Sequence, residues 1–198
     1  NKNDIVIFES TVYPGVTEDI CVPALKHSND LIYNKDFFCG YSPERINPGD
    51  RHRNITNIKK ITSGSNKKIT NIVDRLYKKI IKAGTHKVSS IKIAETAKVI
   101  ENCQRDINIA FMNDISIMLN KMNIDMFEVL NAAKTKWNFL DFKPGFVGGH
   151  CVAIDPYYLY YKGLQVGHES RIISYSREIN DNMPKLISKD ILKKFKNK

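Results

Sequence analysis

The chain has 198 residues, enough for one large domain or two small ones with a proper core. Hydrophobic residues make up 42% and charged residues 26%, which excludes disordered and fibrous classes. Lys and Arg number 31 against 21 acidic residues, a net charge of +10 spread along the chain with a denser run over 189–198; such a spread reads as solvated surface, and no nucleic-acid partner is expected. No apolar run is long enough to span a bilayer, and Asn1, Lys2, Asn3 and Asp4 carry no signal pattern, so no membrane partner is expected either. Cys21, Cys39, Cys103 and Cys151 form no CxxC pair and the His residues do not fall at ligand spacing, so reduced thiols and no metal are expected. The first residue is not Met, which suggests a processed product or a piece of something longer.

The apolar run Ile5-Val6-Ile7-Phe8 reads as a strand buried on both faces. A helix is expected after Pro14-Gly15, with Thr17 as a candidate cap, running towards Lys26. Residues 37–41 and 60–62 read as further strands. Residues 66–82 read as a helix whose stripe is Ile69, Ile72, Val73, Leu76 and Ile80. This alternation implies an α/β layer with parallel strands. From Thr85 to Lys143 there is no Gly or Pro. There Ile93, Ala97, Ile100, Ile107, Phe111, Met118 and Met122 recur at multiples of three and four, so one long helix is expected, of the kind that spans domains or builds a subunit interface. Residues 125–134 read as a shorter partner helix.

Three places could carry chemistry. Ser10 and Thr11 end the first strand, where open α/β sheets bind ligands, although by position alone turn chemistry is the favoured account of hydroxyls there. Glu95, Lys98, Asn102 and Arg105 share one side of the long helix, opposite its apolar stripe. Lys98 and Asn102 can reach one oxygen together and stabilise an oxyanion; the competing reading is a solvated face. The most informative run is Pro144-Gly145-Phe146-Val147-Gly148-Gly149-His150-Cys151, followed by Asp155-Pro156-Tyr157-Tyr158. A thiol delivered on a glycine-rich approach, with a carboxylate four residues on, is a candidate nucleophile, and His150 is a candidate activator.

These segments occur in a set order. Glu9-Ser10-Thr11-Val12-Tyr13-Pro14-Gly15, Tyr41-Ser42-Pro43-Glu44-Arg45-Ile46-Asn47-Pro48-Gly49, Ala97-Lys98-Val99-Ile100-Glu101-Asn102 and Gly148-Gly149-His150-Cys151 resemble the UDP-glucose/GDP-mannose dehydrogenase family. The resemblance runs from about Asp4 to Asp181 and is strongest to the branch acting on UDP-N-acetylhexosamines. It implies an α/β fold: the C-terminal half of a Rossmann-like parallel sheet, followed by an all-α dimerisation domain with a long central helix. The implied domains are 1–88 (second half of the NAD-binding domain), 89–163 (helical middle domain carrying Cys151) and 164–198 (start of a UDP-binding domain).

The resemblance implies NAD-dependent, four-electron oxidation of the C6 alcohol of a UDP-N-acetylhexosamine, foremost UDP-N-acetylglucosamine, to a uronic acid for surface polysaccharide. Cys151 would form a thiohemiacetal and then a thioester. Lys98 and Asn102 would stabilise the oxyanion, Asp155 would assist proton transfer or orient Lys98, and Glu44 and Thr11 would handle the hydrolytic water. Ser10, Thr11 and Val12 would face the cofactor. Glu44, Arg45, Lys98, Asn102, Phe142, Lys143, Pro144, Gly145, Phe146 and Gly148 would line the sugar nucleotide. A cytoplasmic homodimer joined through the long helix is implied. Pro48 and Ile154 stand where UDP-glucose enzymes carry Glu and Lys, which turns the expectation away from UDP-glucose. No Gly-x-Gly-x-x-Gly follows a first strand, so the resemblance implies a central portion inactive by itself, and a non-catalytic dimerisation module is the alternative.

Overall fold

A computed structural model describes residues 1–27, 30–46, 52–149 and 151–196. The chain forms two units, Asn1–Ile100 and Glu101–Lys198. In the first, β1 (Ile5–Phe8), β2 (Phe38–Tyr41), β3 (Lys60–Gly64) and β4 (Thr85–Lys87) make one sheet in the order β1-β2-β3-β4. β1 pairs with β2 in parallel, Ile5 opposite Phe38 and Phe8 opposite Tyr41, and β3 pairs with β4 in parallel. β2 and β3 are antiparallel through Gly40–Gly64 and Tyr41–Ser63, which corrects the expectation of a parallel sheet. The cause is the connection: parallel neighbours need a crossover, and no helix lies between β2 and β3 among the described residues. Helices do occupy the other two connections, α1 (Val22–His27) and α2 (Lys67–Lys78).

The continuous apolar run of β1 is explained by cover on both faces. Ile5 and Ile7 pack with Phe38 against Ile69, Val73, Tyr77 and Ile81 of the α2 side. Val6 and Phe8 pack with Cys39, Tyr41 and Ile61 against Val22, Ile91 and Ala94. The α2 stripe needs correcting in part: Leu76 and Ile80 are exposed, and Tyr77 and Ile81 occupy the buried face. Asn66 caps α2 by accepting the Ile69 N–H at 3.0 Å. A Cβ on Gly64 would stand 2.5 Å from the Thr70 nitrogen, so glycine permits β3 and α2 to approach closely.

The expected cap at Thr17 is also corrected. A wide π-type turn over Thr17–Cys21 leads into α1 with no side-chain cap. The start of this turn is held from a distance: the Gly15 and Thr17 N–H groups donate to Glu95 at 2.6 and 2.9 Å. Gly15 has φ +103°, a conformation that favours glycine.

Helix α3 (Ile91–Lys121) is continuous for 31 residues. The second unit adds α4 (Met126–Ala133), α5 (Asp155–Gln165) and α6 (Arg171–Lys196). Its apolar core is Met112, Leu119, Met126 and Leu130, with Ile115, Phe139 and Phe142 packed against it. Asp125 caps α4 through the Glu128 N–H at 2.8 Å. Among the described residues, no helix is long and apolar enough to cross a membrane.

Candidate functional site

Helix α3 buries a polar row between its core-forming residues and leaves an apolar row, continued by Met122 just past its end, on the outside. Ile93, Ile100, Phe111, Met118 and Met122 are exposed, whereas Glu95, Lys98, Asn102, Asp106 and Asn113 are buried. The polar side is therefore not a solvated face. The polar row passes through Asp106 rather than Arg105, which is only half-buried. Burial of so many polar groups is sustainable only with partners, and those of Glu95, Asn102, Asp106 and Asn113 come from distant parts of the chain.

Asn102 is the centre of the cysteine end of the site. Its Nδ2 donates to Asp155 Oδ2 at 2.5 Å, and both residues are buried. Asp155 opens α5, with Pro156 in the first turn, where a missing N–H costs nothing. The carbonyl of Cys151 accepts the Asp155 N–H at 2.9 Å and the Ile154 N–H at 3.2 Å, forming the turn that ties Cys151 to the helix start. Cys151 is exposed, while burial pushes the Cys39 and Cys103 thiols up to about 12. Gly149, at φ +85°, gives the chain its left-handed step two residues before Cys151. Lys98 lies one helical turn before Asn102 on the same side of α3 and is also buried.

The approach to Cys151 has a fixed point. Asn113 holds Gly145 by both backbone groups, accepting its N–H at 2.8 Å and donating to its carbonyl at 3.0 Å. Phe142 packs against the second core, Pro144 and Val147 are half-buried, and Lys143, Phe146 and Gly148 are exposed. His150 lies outside the described residues, as do Asn47, Pro48 and Gly49.

In the first unit, Glu44 is held at both oxygens. Oε1 accepts the Arg45 and Ile46 N–H groups at 2.6 and 2.8 Å, and Oε2 lies 3.7 Å from Lys60 Nζ. Lys60 is 4% exposed and also meets Glu9 Oε1 at 3.1 Å, the Pro43 carbonyl at 3.3 Å and the face of Tyr77, 5.1 Å from the ring centre. The Tyr77 hydroxyl donates to Glu9 Oε1 at 2.6 Å. Burial works to raise the Glu9 pKa, but the Tyr77 and Lys60 contacts together hold it below the usual carboxylate range. Arg45 donates to the Lys59 carbonyl at 2.8 Å.

Ser10 is exposed and Thr11 half-buried just past β1, and the Ser10 carbonyl accepts from Tyr41 Oη at 3.0 Å. Both hydroxyls therefore stand at the carboxyl end of a parallel strand, where open α/β sheets bind their ligands. Val12 packs into the first core and offers apolar backing, not a polar contact. Among the described residues, no three His, Cys, Asp or Glu side chains are grouped to hold a metal ion.

Lys60 and Tyr77 in the first unit, and Asp106, Asn113 and Asn180 in the second, are supporting residues that motif reading passes over. One signal was available: Asn113 lies three turns on from Asn102, so extending the polar row along α3 reaches it. Lys60 gave none, because a lysine opening a strand ordinarily reads as solvated.

Strand-end hydroxyls on an α/β sheet, and a helix with a buried polar row leading to Asn102 and Asp155, define an α/β unit that runs into a helical one, with candidate ligand-binding groups in each. The chain belongs to the UDP-glucose/GDP-mannose dehydrogenase family: residues 1–81 match its NAD binding domain and residues 92–182 its central domain. NAD is the cofactor of that domain. The chain is 55% identical over 193 residues to the UDP-N-acetyl-D-glucosamine 6-dehydrogenase of Salmonella typhi, covering 98% of this chain and 45% of that protein. It is likewise 55% identical over 191 residues to protein CapL of Staphylococcus aureus, covering 96% of this chain and 45% of that protein. In structure it is similar to a UDP-D-ManNAc dehydrogenase from Pyrococcus horikoshii, with a TM-score of 0.88 at 29% identity over 98% of this chain and 45% of that one. The chain thus spans about half the length of these relatives.

Proposed function

We propose that this chain supplies the chemical groups for oxidising the C6 alcohol of UDP-N-acetylglucosamine to the uronic acid, a precursor of surface polysaccharide. The observation that carries this reading is the turn joining Cys151 to Asp155, together with the 2.5 Å bond from Asn102 to the same carboxylate. The identity to UDP-N-acetyl-D-glucosamine 6-dehydrogenases supports the choice of sugar. One alcohol, one water and two oxidised cofactors give one carboxylate, two reduced cofactors and three protons. NAD, when bound, accepts the hydride of both oxidations.

The remaining work falls to side chains. Cys151 Sγ, as the thiolate, adds to the aldehyde carbon and forms a thiohemiacetal. Lys98 and Asn102 meet the oxyanion with groups fixed on a rigid helix, which limits reorganisation as charge develops. Asp155 orients Asn102 through their hydrogen bond and takes part in proton transfer. Loss of hydride leaves a thioester, whose C–S bond breaks when water attacks. Glu44 and Thr11 direct that water, Glu44 being fixed by two backbone N–H groups. Ser10, Thr11 and Val12 form the cofactor side. Arg45 and residues 142–148 form the sugar-nucleotide side.

The proposal includes a cytoplasmic homodimer joined through the exposed apolar row of α3, and no nucleic-acid or membrane partner. It assigns residues 1–88 to cofactor binding, 89–163 to the helical domain with Cys151, and 164–198 to UDP binding. That exposed row also favours a second reading, a dimerisation module without catalysis. A chimera separates them: this chain replaces the matching segment of the Salmonella typhi enzyme, and uronic acid is measured by mass spectrometry. Acid is expected with UDP-N-acetylglucosamine and none after Cys151→Ser. Full turnover without the thiol would overturn the cysteine mechanism, and no turnover with it would favour the module.

A further inference from the structure

We propose that Asn113 is a positioning residue that fixes the register of the 143–149 loop, and hence the approach to Cys151. The functional part of this inference rests on the role proposed above for the loop. Asn113 is fully buried, on the same side of α3 as Asn102. Its side-chain amide pairs with Gly145 as one backbone peptide pairs with another, engaging the N–H and the C=O of that single residue at 2.8 and 3.0 Å. Sliding the loop, or rotating the Gly145 peptide, breaks one of these bonds or both.

The amide cannot turn over to follow such a movement, because its orientation is dictated from behind. Asn113 Nδ2 also donates to Asn180 Oδ1 at 2.8 Å. Asn180 must present that oxygen, since its own Nδ2 is committed to Asp106, donating to Oδ1 at 2.7 Å and to the carbonyl at 3.0 Å. A carboxylate only accepts, so the nitrogen of Asn180 faces it and the oxygen faces Asn113. Asp106 Oδ1 in turn accepts from Arg177 at 2.6 Å, and Arg177 extends to Asp181, which the Tyr157 hydroxyl reaches at 2.9 Å. The polarity of the chain therefore runs in one direction, from a buried ion pair on α6 and α3 to one peptide of the loop.

No neighbour wedges the glycines of this loop on their open side. A Cβ built on Gly145, Gly148 or Gly149 meets nothing within 4 Å. With open space on that side, and Phe142 anchored three residues earlier, the hydrogen bonds of Asn113 supply the polar hold on Gly145 itself. The phenylalanine that follows is 65% exposed, so it adds little anchorage.

The test uses the whole chain and needs no turnover. In the wild-type protein, amide hydrogen exchange at Gly145 is expected to be at least a hundredfold slower than at Gly148; equal rates would overturn the proposal without any variant. Asn113→Asp keeps the shape and the acceptor for the Gly145 N–H, but sets an oxygen against the Gly145 carbonyl and Asn180 Oδ1. It is expected to release Gly145 exchange at least tenfold and to change the rate of Cys151 alkylation by iodoacetamide at least threefold. Met126→Ala, which opens a cavity in the apolar core of the same unit and removes none of these hydrogen-bonding groups, serves as the control for general loosening. It is expected to leave both readings within twofold. Unchanged readings in Asn113→Asp, or equal changes in Met126→Ala, would reduce Asn113 to an ordinary buried residue. Loss of acid formation in the chimera would remove the catalytic reading and leave these measurements standing.

Discussion

Lys60 and Asp74 are buried charges of opposite sign beside one sheet, and each is satisfied by different means. Lys60 lies between two carboxylates and an aromatic face. Asp74 accepts from Thr85 at 2.5 Å, from Thr62 at 3.1 Å and from Lys78 at 2.9 Å. Burial acts to raise its pKa, but Thr85, Lys78 and Thr62 outweigh it and hold the group below its ordinary value. A depressed folded-state pKa gives stability that is present above the unfolded value, about 4, and lost as pH falls through the folded one. Asp74→Asn is therefore expected to lower stability by about 1–3 kcal/mol at pH 7. It should also flatten the acid limb, as read by urea denaturation from pH 7 to pH 3. An unaltered acid limb would show that Asp74 does not set it.

At the scale of elements, the contact between β3 and α2 depends on a missing side chain. Gly64→Ala would drive a methyl to 2.5 Å from the Thr70 nitrogen and 2.8 Å from the Ile69 carbonyl carbon, both backbone atoms of the capped first turn. The expected cost is about 1–3 kcal/mol, measured by chemical denaturation, with the sheet retained in circular dichroism. Much of this layer was legible in the sequence. β1, β2, β3 and α2 announced themselves by apolar runs and periodicity, and Asp125 by its place before α4. What was not legible depends on partners remote in sequence. The antiparallel entry of β3 leaves no local mark, and Glu95 reaches Gly15 and Thr17 across about eighty positions. The catalytic candidates were found because their types are rare in such settings: a cysteine after glycines, a lysine and an asparagine one turn apart. Their supports were missed because Asn113 and Asn180 are ordinary residues until their hydrogen bonds are seen.

At the scale of the whole molecule, the exposed row on α3 sets the expected association. Phe111 and Ile100 are 56% and 49% exposed, and the proposed dimer uses them as its interaction face. Light scattering at micromolar concentration should report a dimer, and Phe111→Glu should shift it to monomer with the thermal midpoint of the monomer little changed. A wild-type monomer would place the interface elsewhere.

Helix α3 carries an exposed apolar row and a buried polar row on opposite sides, and both depend on angular phase. Each residue advances the helix by about 100°. One extra residue between Lys98 and Asp106 would turn everything downstream by that angle. Asp106 and Asn113 would leave Arg177, Asn180 and Gly145, while Phe111 and Met118 would swing out of line with Ile93 and Ile100. Substitutions along this segment act one contact at a time, but a change of length disrupts both rows at once. The helix is thus a ruler as much as a scaffold: it tolerates altered letters far better than altered spacing.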